Sequence, residues 1–321
     1  MPGVSVSIVI VTAGKGDFIK NCLCSLGKQS FRDTQVIVID NSLLEHLSLS
    51  IVREFPSVRI LKNELNMFYC RSLDQGIAVC EGKFILCLND DVVLEGNFIE
   101  EALKGFSVSP DIGMVSGKIL RADKKTLDST GLFLSPWRTA VERGYGTPDE
   151  GRFARDGYVF GVNGAVAFYR KALLDGLKVE VSPGVTEYFD NDLAFFYEDL
   201  DICWRAQNAG WKAYYVPSAI AYHVRGATAR RAQGINKRFA RFYLNDELNF
   251  YLVKNRCLTI IKNEKLICFL MFFPLIFIYD AVTFIYLIFC RPAVLRFFFD
   301  PAIPFQSAFR KRQFIKKLKR R

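Results

Sequence analysis

Apolar runs alternate with amphipathic stretches through the first ninety residues of the chain. Val4–Thr12 is an apolar, β-branched run followed by Ala-Gly, which predicts a buried parallel strand and then a loop. Asp17–Leu26 has helical spacing, with Asp17 as a candidate N-terminal cap. Further buried strands are predicted at residues 35–39, 58–61 and 83–88, with a helix near residues 72–80. The alternation predicts a doubly wound α/β sheet with helices on both faces.

Polar residues stand where these predicted strands end. They are Thr12, Asp40, Asn89, Asp90 and Asp91. In open α/β sheets the ligand lies outside the carboxyl ends of the strands, so we expect a binding site at this edge. A carboxylate at Asp40 can accept hydrogen bonds from a pyrimidine imide or from ribose hydroxyls, or it can cap the helix that follows.

The sequence Asn89-Asp90-Asp91 is a candidate cation site. Residues i and i+2 of a strand point to the same side, so Asn89 and Asp91 can share one divalent cation. Hard oxygen ligands favour Mg or Mn, and such a cation would stabilise a diphosphate leaving group. The structural alternative is a turn or a helix cap, where Asn and Asp are common.

An acidic segment, Glu198-Asp199-Leu200-Asp201, follows three aromatic residues and begins a helix predicted to run to Asn208. Carboxylates crowded beside aromatic residues are costly to bury, which favours a general base with a raised pKa. An inverting sugar transfer needs such a base, because a sugar hydroxyl is a poor nucleophile. The alternative is a first helical turn whose acids complement the helix dipole.

The region after this helix contains one further candidate ligand. A strand is predicted at residues 211–216, and His223 lies just beyond it. His223 is either a third metal ligand, a phosphate contact or an ordinary surface histidine. Residues 236–262 have helical spacing, and we expect an amphipathic helix with basic and aromatic faces.

Leu266–Phe289 is apolar except for Asp280, and Pro274 interrupts it. As a helix it would measure roughly 36 Å, against about 30 Å of bilayer hydrocarbon. A charge at mid-membrane costs about 2.5–3.5 kcal/mol, and basic residues flank both ends of the segment. The pattern therefore predicts a re-entrant or in-plane pair of helices, broken between Pro274 and Asp280, with a buried core helix as the alternative.

Charge and composition limit the kinds of partner that the protein is expected to bind. The net charge is +10, and basic residues concentrate in residues 225–241 and in the last twelve positions. Such patches beside an apolar segment fit anionic lipid better than a duplex, so we expect a membrane surface and no nucleic acid as partner. The nine cysteines lack paired spacing, which indicates reduced thiols in a cytoplasmic protein, and we expect no signal peptide.

Taken together in order and spacing, six segments resemble family 2 glycosyltransferases, close to bacterial rhamnosyltransferases of cell-surface polysaccharide assembly. The segments are SIVIVT, VIVIDNS, EGKFILCLNDDVVL, GVNGAVAFYRKALL, FFYEDLDICWRAQNAGWKAYYVPSAIAYH and YLVKN, and the resemblance covers roughly Val4 to Lys262. It implies an α/β fold of GT-A type, a Rossmann-like mixed sheet flanked by helices, followed by C-terminal membrane-associating helices. Ala13-Gly14, among other departures from the usual family pattern, leaves the nucleobase and the donor open.

The resemblance also implies roles for single residues. Asp199 would be the catalytic base, supported by Glu198, Asp201 and Arg205; the donor nucleotide would lie on Thr12, Asp40 and Asp90; Mg or Mn would be held by Asp91, Asn89 and His223; and the acceptor would lie near Asn163, Gly164 and Trp211.

The implied reaction is an inverting, metal-dependent transfer to a lipid-linked glycan at the cytoplasmic face of the inner membrane. The expected donor is dTDP-rhamnose or a UDP-sugar, and a catalytically silent scaffold subunit is the competing hypothesis. The expected domains are a transferase domain at 1–230, with a nucleotide half at 1–110 and an acceptor half at 111–230, an amphipathic segment at 231–265 and a membrane-associating part at 266–321.

Overall fold

The computed structural model describes residues 5–14, 17–225, 244–299 and 303–318. The strands are β1 Val6–Thr12, β2 Thr34–Asp40, β3 Arg59–Lys62, β4 Phe84–Asn89, β5 Val92–Leu94, β6 Ile112–Arg121, β7 Leu127–Ser129, β8 Leu132–Leu134, β9 Ala140–Glu142, β10 Gly157–Val159, β11 Val166–Arg170, β12 Val179–Ser182, β13 Val185–Glu187 and β14 Lys212–His223. The α-helices are α1 Phe18–Gly27, α2 Glu45–Glu54, α3 Phe68–Ala78, α4 Phe98–Ser107, α5 Lys171–Leu177, α6 Glu198–Asn208, α7 Asp246–Asn263, α8 Leu266–Cys290, α9 Pro292–Leu295 and α10 Phe305–Ile315.

The first half of the chain forms the parallel part of one mixed sheet, as the sequence pattern predicts. The main sheet has the order β10-β14-β6-β11-β4-β1-β2-β3, with β5 beside β14 and β7 beside β6. Strand β1 pairs in parallel with β2 and with β4, and the register places Thr12 opposite Asp40 and Val11 opposite Asn89. The polar residues at these strand ends therefore meet at one edge of the sheet.

Both faces of the sheet are buried. Along β1, Val9 packs into the core on one face, while Ile8 and Ile10 pack into the core on the other. Successive side chains of a strand point to opposite faces, so a strand covered on both sides must be apolar at every position. This is the physical reason that the strands could be read directly from continuous apolar runs.

Strand β14 is longer than predicted and carries His223 as its last residue. It runs parallel to β6 and antiparallel to the short strand β5, where His223 pairs with Val92. The expectation that His223 lies beyond the strand is therefore wrong. Because β5 directly follows Asp91, this pairing brings Asp91 beside His223.

Two helix ends differ from the prediction. Asp17 precedes α1 but makes no side-chain capping hydrogen bond there. Helix α7 begins after Asn245, whose side chain accepts a hydrogen bond of 2.8 Å from the backbone N–H of Leu248. The earlier part of the predicted helix, up to residue 243, and nearly all of the basic stretch 225–241 lie outside the described residues.

Lys262 on α7 and Lys311 on α10 are buried and face carboxylates inside the protein, whereas Arg310, Lys316 and Lys317 are exposed. Residues 319–321 lie outside the described residues, and binding of the basic tail to lipid stays a prediction. Lys262 on α7 contacts Asp190 and Asp201, and Lys311 on α10 contacts Asp190, Glu187 at 2.8 Å and Asp192 at 2.9 Å. Burial raises the pKa of Asp190, but the two ammonium groups outweigh burial and hold it below its usual range. These ion pairs hold the C-terminal helices α7 and α10 against the α/β part of the chain.

We expect Lys311→Ala to lower the free energy of unfolding by about 3–5 kcal/mol, because the change leaves buried carboxylates short of one cation. Urea unfolding in detergent, followed by tryptophan fluorescence, measures the loss. Arg310→Ala is the matched control, since Arg310 is exposed on the same helix. Equal small effects for the two variants would show that the cluster does not hold α10.

The apolar segment forms one continuous helix, α8, with Pro274 inside it, so the predicted break between Pro274 and Asp280 is wrong. Pro274 has no N–H and so removes one backbone hydrogen bond, but the helix continues on both sides of it. Asp280 forms an ion pair with the buried Arg256 of α7, which offsets the cost of a charge in this segment. By length and composition, α8 is the one helix among the described residues that could cross a membrane.

Candidate active site

The ends of β1 and β4 are joined by a direct hydrogen bond. The Thr12 hydroxyl donates to Asp90 Oδ2 at 2.7 Å and accepts from the Gly14 N–H at 3.1 Å. Asp40 accepts from the Ser42 N–H at 2.8 Å and from the Ser48 hydroxyl at 2.5 Å. Asp40 therefore fixes the turn after β2, while α2 has no side-chain cap at its start, and the contact of Asp40 with a nucleotide stays a prediction.

Asp91 and His223 form the centre of the candidate metal site. His223 Nε2 lies 3.3 Å from Asp91 Oδ1, and His223 Nδ1 lies 2.9 Å from Asp128 Oδ2. Asp128 is fully buried and also accepts from Arg225 Nε at 2.6 Å. A carboxylate on one ring nitrogen fixes the imidazole so that its other nitrogen faces a metal, which is the usual outer support of a histidine ligand.

The protonation of His223 depends on whether a cation is bound. Burial lowers the pKa of His223, but hydrogen bonds to Asp128 and Asp91 outweigh burial and raise that pKa to about 9. The protonated ring thus bridges the two carboxylates when no cation is present. A metal that takes Nε2 must displace this proton, so cation binding will strengthen as the pH rises.

Asn89, the third predicted metal ligand, already has a partner in the protein. Its Oδ1 lies 2.9 Å from the Tyr69 hydroxyl. Across the described residues, no three His, Cys, Asp or Glu side chains converge on a point that could hold a metal ion. Asp91 and His223 are therefore the two side chains that could hold a cation together, and the phosphates of a nucleotide can complete such a coordination sphere.

Asp199 lies in the first turn of α6 and is held by backbone donors. Its Oδ2 accepts from the Gly164 N–H at 3.2 Å, and its Oδ1 accepts from the Leu200 N–H at 2.7 Å. Burial raises the pKa of Asp199. Burial and the neighbouring charge of Asp199 raise the pKa of Glu198 to about 8. The pair has the raised pKa values expected of a general base, and it also starts the helix as the structural alternative predicts.

Tyr69 connects the two acidic centres. Its hydroxyl lies within hydrogen-bonding distance of Asn89 Oδ1 and, at 3.2 Å, of the Gly164 carbonyl. The amide of the same Gly164 donates to Asp199. The candidate metal ligand Asn89 and the candidate base Asp199 are therefore linked through one tyrosine and Gly164.

Glu142 forms a second connection and was not predicted from the sequence. It accepts from the Ser129 hydroxyl and, at 2.5 Å, from Asn163 Nδ2. Burial, with the charges of Asp199 and Asp128, raises the pKa of Glu142 to about 8. Glu142 and Asp128 lie on three-residue strands, β9 and β7, which no periodic sequence pattern signals, and Tyr69 lies at the start of α3.

Two residues that were predicted to support the base, Asp201 and Arg205, make their contacts away from Asp199. Asp201 pairs with Lys262 at 2.8 Å and with Arg205 at 3.1 Å, on the side of α6 opposite Asp199. Arg205 also donates to the carbonyl oxygens of Leu177 and Tyr188, at 3.0 and 2.8 Å. The charge of Asp201 contributes least to the shift in the pKa of Glu198. The two residues hold α6 in place, away from the cleft.

Trp211 precedes β14 at the opposite edge of the sheet, where Lys212 pairs with Ile112 at the start of β6. The length of β14 separates it from His223 by roughly 30–35 Å. Its ring packs against Gly113, where an added Cβ would lie 2.8 Å from it. Trp211 thus lies far from the candidate metal ligands, and its place beside the acceptor stays a prediction.

Solved structures share this architecture. The fold is similar to GalNAc-T7 in complex with UDP, GalNAc and Mn²⁺, with a TM-score of 0.58 and 16% identity over 81% of this chain and 48% of that one. It is similar to the Pyrobaculum calidifontis mannosyltransferase PcManGT in complex with GDP-Man and Mn²⁺, with a TM-score of 0.56 and 12% identity over 98% and 85% of the chains. The chain spans about half the length of GalNAc-T7. The mixed sheet, the acidic residues at its carboxyl edge and the similarity to these structures define a glycosyltransferase of GT-A fold.

The sequence gives the family. The profile of the glycosyltransferase like family 2 matches residues 2–244, and the chain belongs to this family. It is similar to the N-acetylglucosaminyl-diphospho-decaprenol L-rhamnosyltransferase of Mycobacterium tuberculosis, with 23% identity over 66% of this chain and 73% of that protein. The predicted fold class, enzyme class and family resemblance are thereby confirmed.

Proposed function

We propose that this glycosyltransferase moves a sugar, with inversion, from a nucleotide-sugar to a hydroxyl of a lipid-linked glycan. The observation that carries the proposal is the bridge from Asn89 through Tyr69 and Gly164 to Asp199, which sets a candidate base beside a candidate diphosphate site. The rhamnosyltransferase relative, whose name gives a diphospho-decaprenol acceptor, favours rhamnose from dTDP-rhamnose and a polyprenyl-linked acceptor.

The donor lies at the carboxyl edge of β1, β2 and β4. Thr12, Asp40 and Asp90 contact the nucleotide, and Asn163 and Gly164 border the acceptor. Asp199 accepts the proton of the acceptor hydroxyl as that oxygen attacks the anomeric carbon, and the bond from this carbon to the diphosphate breaks. The raised pKa of Asp199 suits a base that must hold this proton.

The donor set of the site fits a divalent cation, Mg or Mn. Asp91 offers a hard oxygen, and His223 offers an imidazole nitrogen whose ring is fixed from behind by Asp128. Carboxylate and phosphate oxygens suit both Mg and Mn, and the imidazole adds a nitrogen ligand. Bound there beside Asn89, the cation would neutralise charge on the diphosphate leaving group. The Mn²⁺ in the GalNAc-T7 and PcManGT structures agrees with this assignment.

A thermal-shift screen of dTDP- and UDP-sugars with and without Mn tests the donor, followed by transfer to a polyprenyl diphosphate-linked sugar. A ligand that binds only the native state raises the melting temperature, so the donor should raise it more with Mn than without. Transfer of the sugar that binds completes the test. Donor binding with no transfer to any acceptor would favour the scaffold hypothesis.

We further propose that α8 lies in the plane of the membrane surface, at the cytoplasmic face. One stripe of the helix packs on the protein: Arg138 lies 4.2 Å from the Phe272 ring, Trp137 stacks on Tyr279, and Arg256 pairs with Asp280. Thr283 and Leu287 continue the same stripe. The remaining surface is exposed and apolar, and it includes Ile267, Leu270, Phe277, Ile278, Ile285 and Ile288.

This packing favours an in-plane helix over a spanning one. The stripe from Phe272 to Leu287 measures about 24 Å along the helix, which is most of a bilayer core. A spanning α8 would carry Arg138 and Arg256 into the hydrocarbon with it. An in-plane helix submerges only the exposed apolar face, with both ends on the same side.

Replacement of Ile267, Ile278 and Ile285 together by Glu should move the protein from the membrane pellet to the soluble fraction. The three side chains are exposed, so the fold tolerates the change while the apolar face is lost. Vesicle flotation measures the shift, with the same three positions changed to Leu as the control. Persistent flotation of the Glu variant would place the anchor elsewhere.

Side-specific labelling separates the two orientations. A cysteine introduced at Lys265 and the native Cys290, which lie at opposite ends of α8, are each made the sole thiol in turn. An in-plane helix lets an impermeant maleimide reach both from the cytoplasmic side of inside-out vesicles. Protection of either thiol would indicate a helix that crosses the bilayer.

A further inference from the structure

The segment that leads into Asp199 has an uncommon backbone. Ala194, Phe196 and Tyr197 have φ angles of 62°, 65° and 70°, in the left-handed region that residues with a side chain rarely adopt. Three such residues within four positions persist only where the surrounding structure fixes them, and they concentrate at functional sites. The restraint must come from outside the segment.

Asn255 of α7 supplies this restraint. Its Nδ2 lies 2.8 Å from the Leu193 carbonyl oxygen, 2.7 Å from that of Phe195 and 2.9 Å from that of Phe196. Asn255 is fully buried. Since three acceptors converge on one atom, only the amide N–H₂ can face them, and a carboxylate or carbonyl would be repelled.

The neighbouring contacts leave Asp199 little room to move. Asp201 N–H donates to the Tyr197 carbonyl at 2.8 Å, which joins the left-handed segment to the first turn of α6. A Cβ added at Gly164 would lie 3.3 Å from the Asp199 Cβ and 3.4 Å from its Oδ2. A small rotation of this turn would therefore change how the carboxylate meets the Gly164 amide.

We propose that Asn255 is a positioning residue that sets the carboxylate of Asp199 by clamping residues 193–196. The inference rests on the proposed role of Asp199 as the base. It gives the C-terminal helix a part in the reaction, beyond carrying the membrane segment. Lys254 adds to the same clamp, since its Nζ donates to the Asp192 carbonyl at 2.6 Å.

The test compares two buried asparagines of one helix. Asn255→Ala should lower kcat by about 10–100-fold, since small misplacements of a reacting group are costly. The dissociation constant of the nucleoside diphosphate should stay within about twofold, because the strand ends that would bind it are untouched. Asn249→Ala is the matched control: Asn249 is equally buried and donates to the Leu244 and Asn245 carbonyls of its own first turn.

The control separates positioning from stability. Both variants lose hydrogen bonds and should lower the melting temperature, but only Asn255→Ala should lower kcat. Equal losses of kcat in the two variants, or a normal kcat in Asn255→Ala, would overturn the proposal. Should Asn255→Ala not fold, Asn255→Ser, which keeps one hydroxyl donor for the three carbonyl oxygens, carries the same test.

The role of Asp199 is tested separately. Normal turnover in Asp199→Asn would show that the base is a different group, whatever Asn255 does. Loss of turnover in Asp199→Asn with normal turnover in Asn255→Ala would refute the clamp alone.

Discussion

Asp199→Asn should reduce sugar transfer by about 10³-fold or more, while nucleoside diphosphate affinity stays within about twofold. An amide cannot accept the proton of the acceptor hydroxyl, and positioned general bases contribute about 10²–10⁴-fold. The change keeps the side-chain shape and one acceptor oxygen, so one of the two bonds from the Gly164 and Leu200 N–H groups can persist. Single-turnover transfer measures the rate, and titration calorimetry measures the affinity.

Asp175→Asn is the control, because Asp175 is an exposed carboxylate on α5, outside the candidate active site. The rate of the wild-type protein should also depend on pH in a definite direction. Burial raises the pKa of Asp199, so the base becomes protonated, and transfer falls, at a pH above the usual range for aspartate. A flat pH profile or full turnover in Asp199→Asn would assign the proton to another group.

Asp91→Ala should abolish the effect of Mn or Mg on donor binding, with a loss of about 10²-fold or more in donor affinity. Asp91 is the carboxylate that faces His223 Nε2, and a single neutral histidine holds a hard cation poorly. Calorimetric titration of the nucleoside diphosphate with and without Mn reads out the difference. The variant should bind equally weakly under both conditions.

Glu100→Ala serves as the control, since Glu100 is an exposed carboxylate on α4. Asp91→Ala also removes one of the two carboxylates that raise the pKa of His223. The remaining histidine should therefore lose its proton at a lower pH than in the wild-type protein, a shift that NMR of the ring can follow. Unchanged metal-dependent affinity would remove Asp91 from the cation site.

Much of the fold was visible in the sequence because its signals are local. Strands buried on both faces must be apolar throughout, so β1, β2 and β4 could be located within a few residues. Their carboxyl ends place Thr12, Asp40 and Asn89 at one edge of the predicted sheet. The acidic turn of α6 was equally visible, since crowded carboxylates beside aromatic residues need a physical reason.

The partners of those residues were not visible. His223 meets Asp91 only because β5 turns back along β14, and Asp128 reaches them from the three-residue strand β7. Lys262 and Lys311 read as cationic surface, yet the fold pairs them with buried carboxylates. The distance of Trp211 from His223 was equally hidden, because it depends on the length and direction of β14.

The amino-acid sequence by itself determined where the main strands and helices lie, which polar residues end the parallel strands, and how long the apolar segment of α8 is. Periodicity and burial act over a few neighbouring residues, so they can be read from the chain directly. Only the tertiary structure decided which charges pair, which face of α8 is covered, and which distant asparagine clamps the turn before Asp199. Those outcomes depend on contacts between residues far apart in the chain, and no local pattern encodes them.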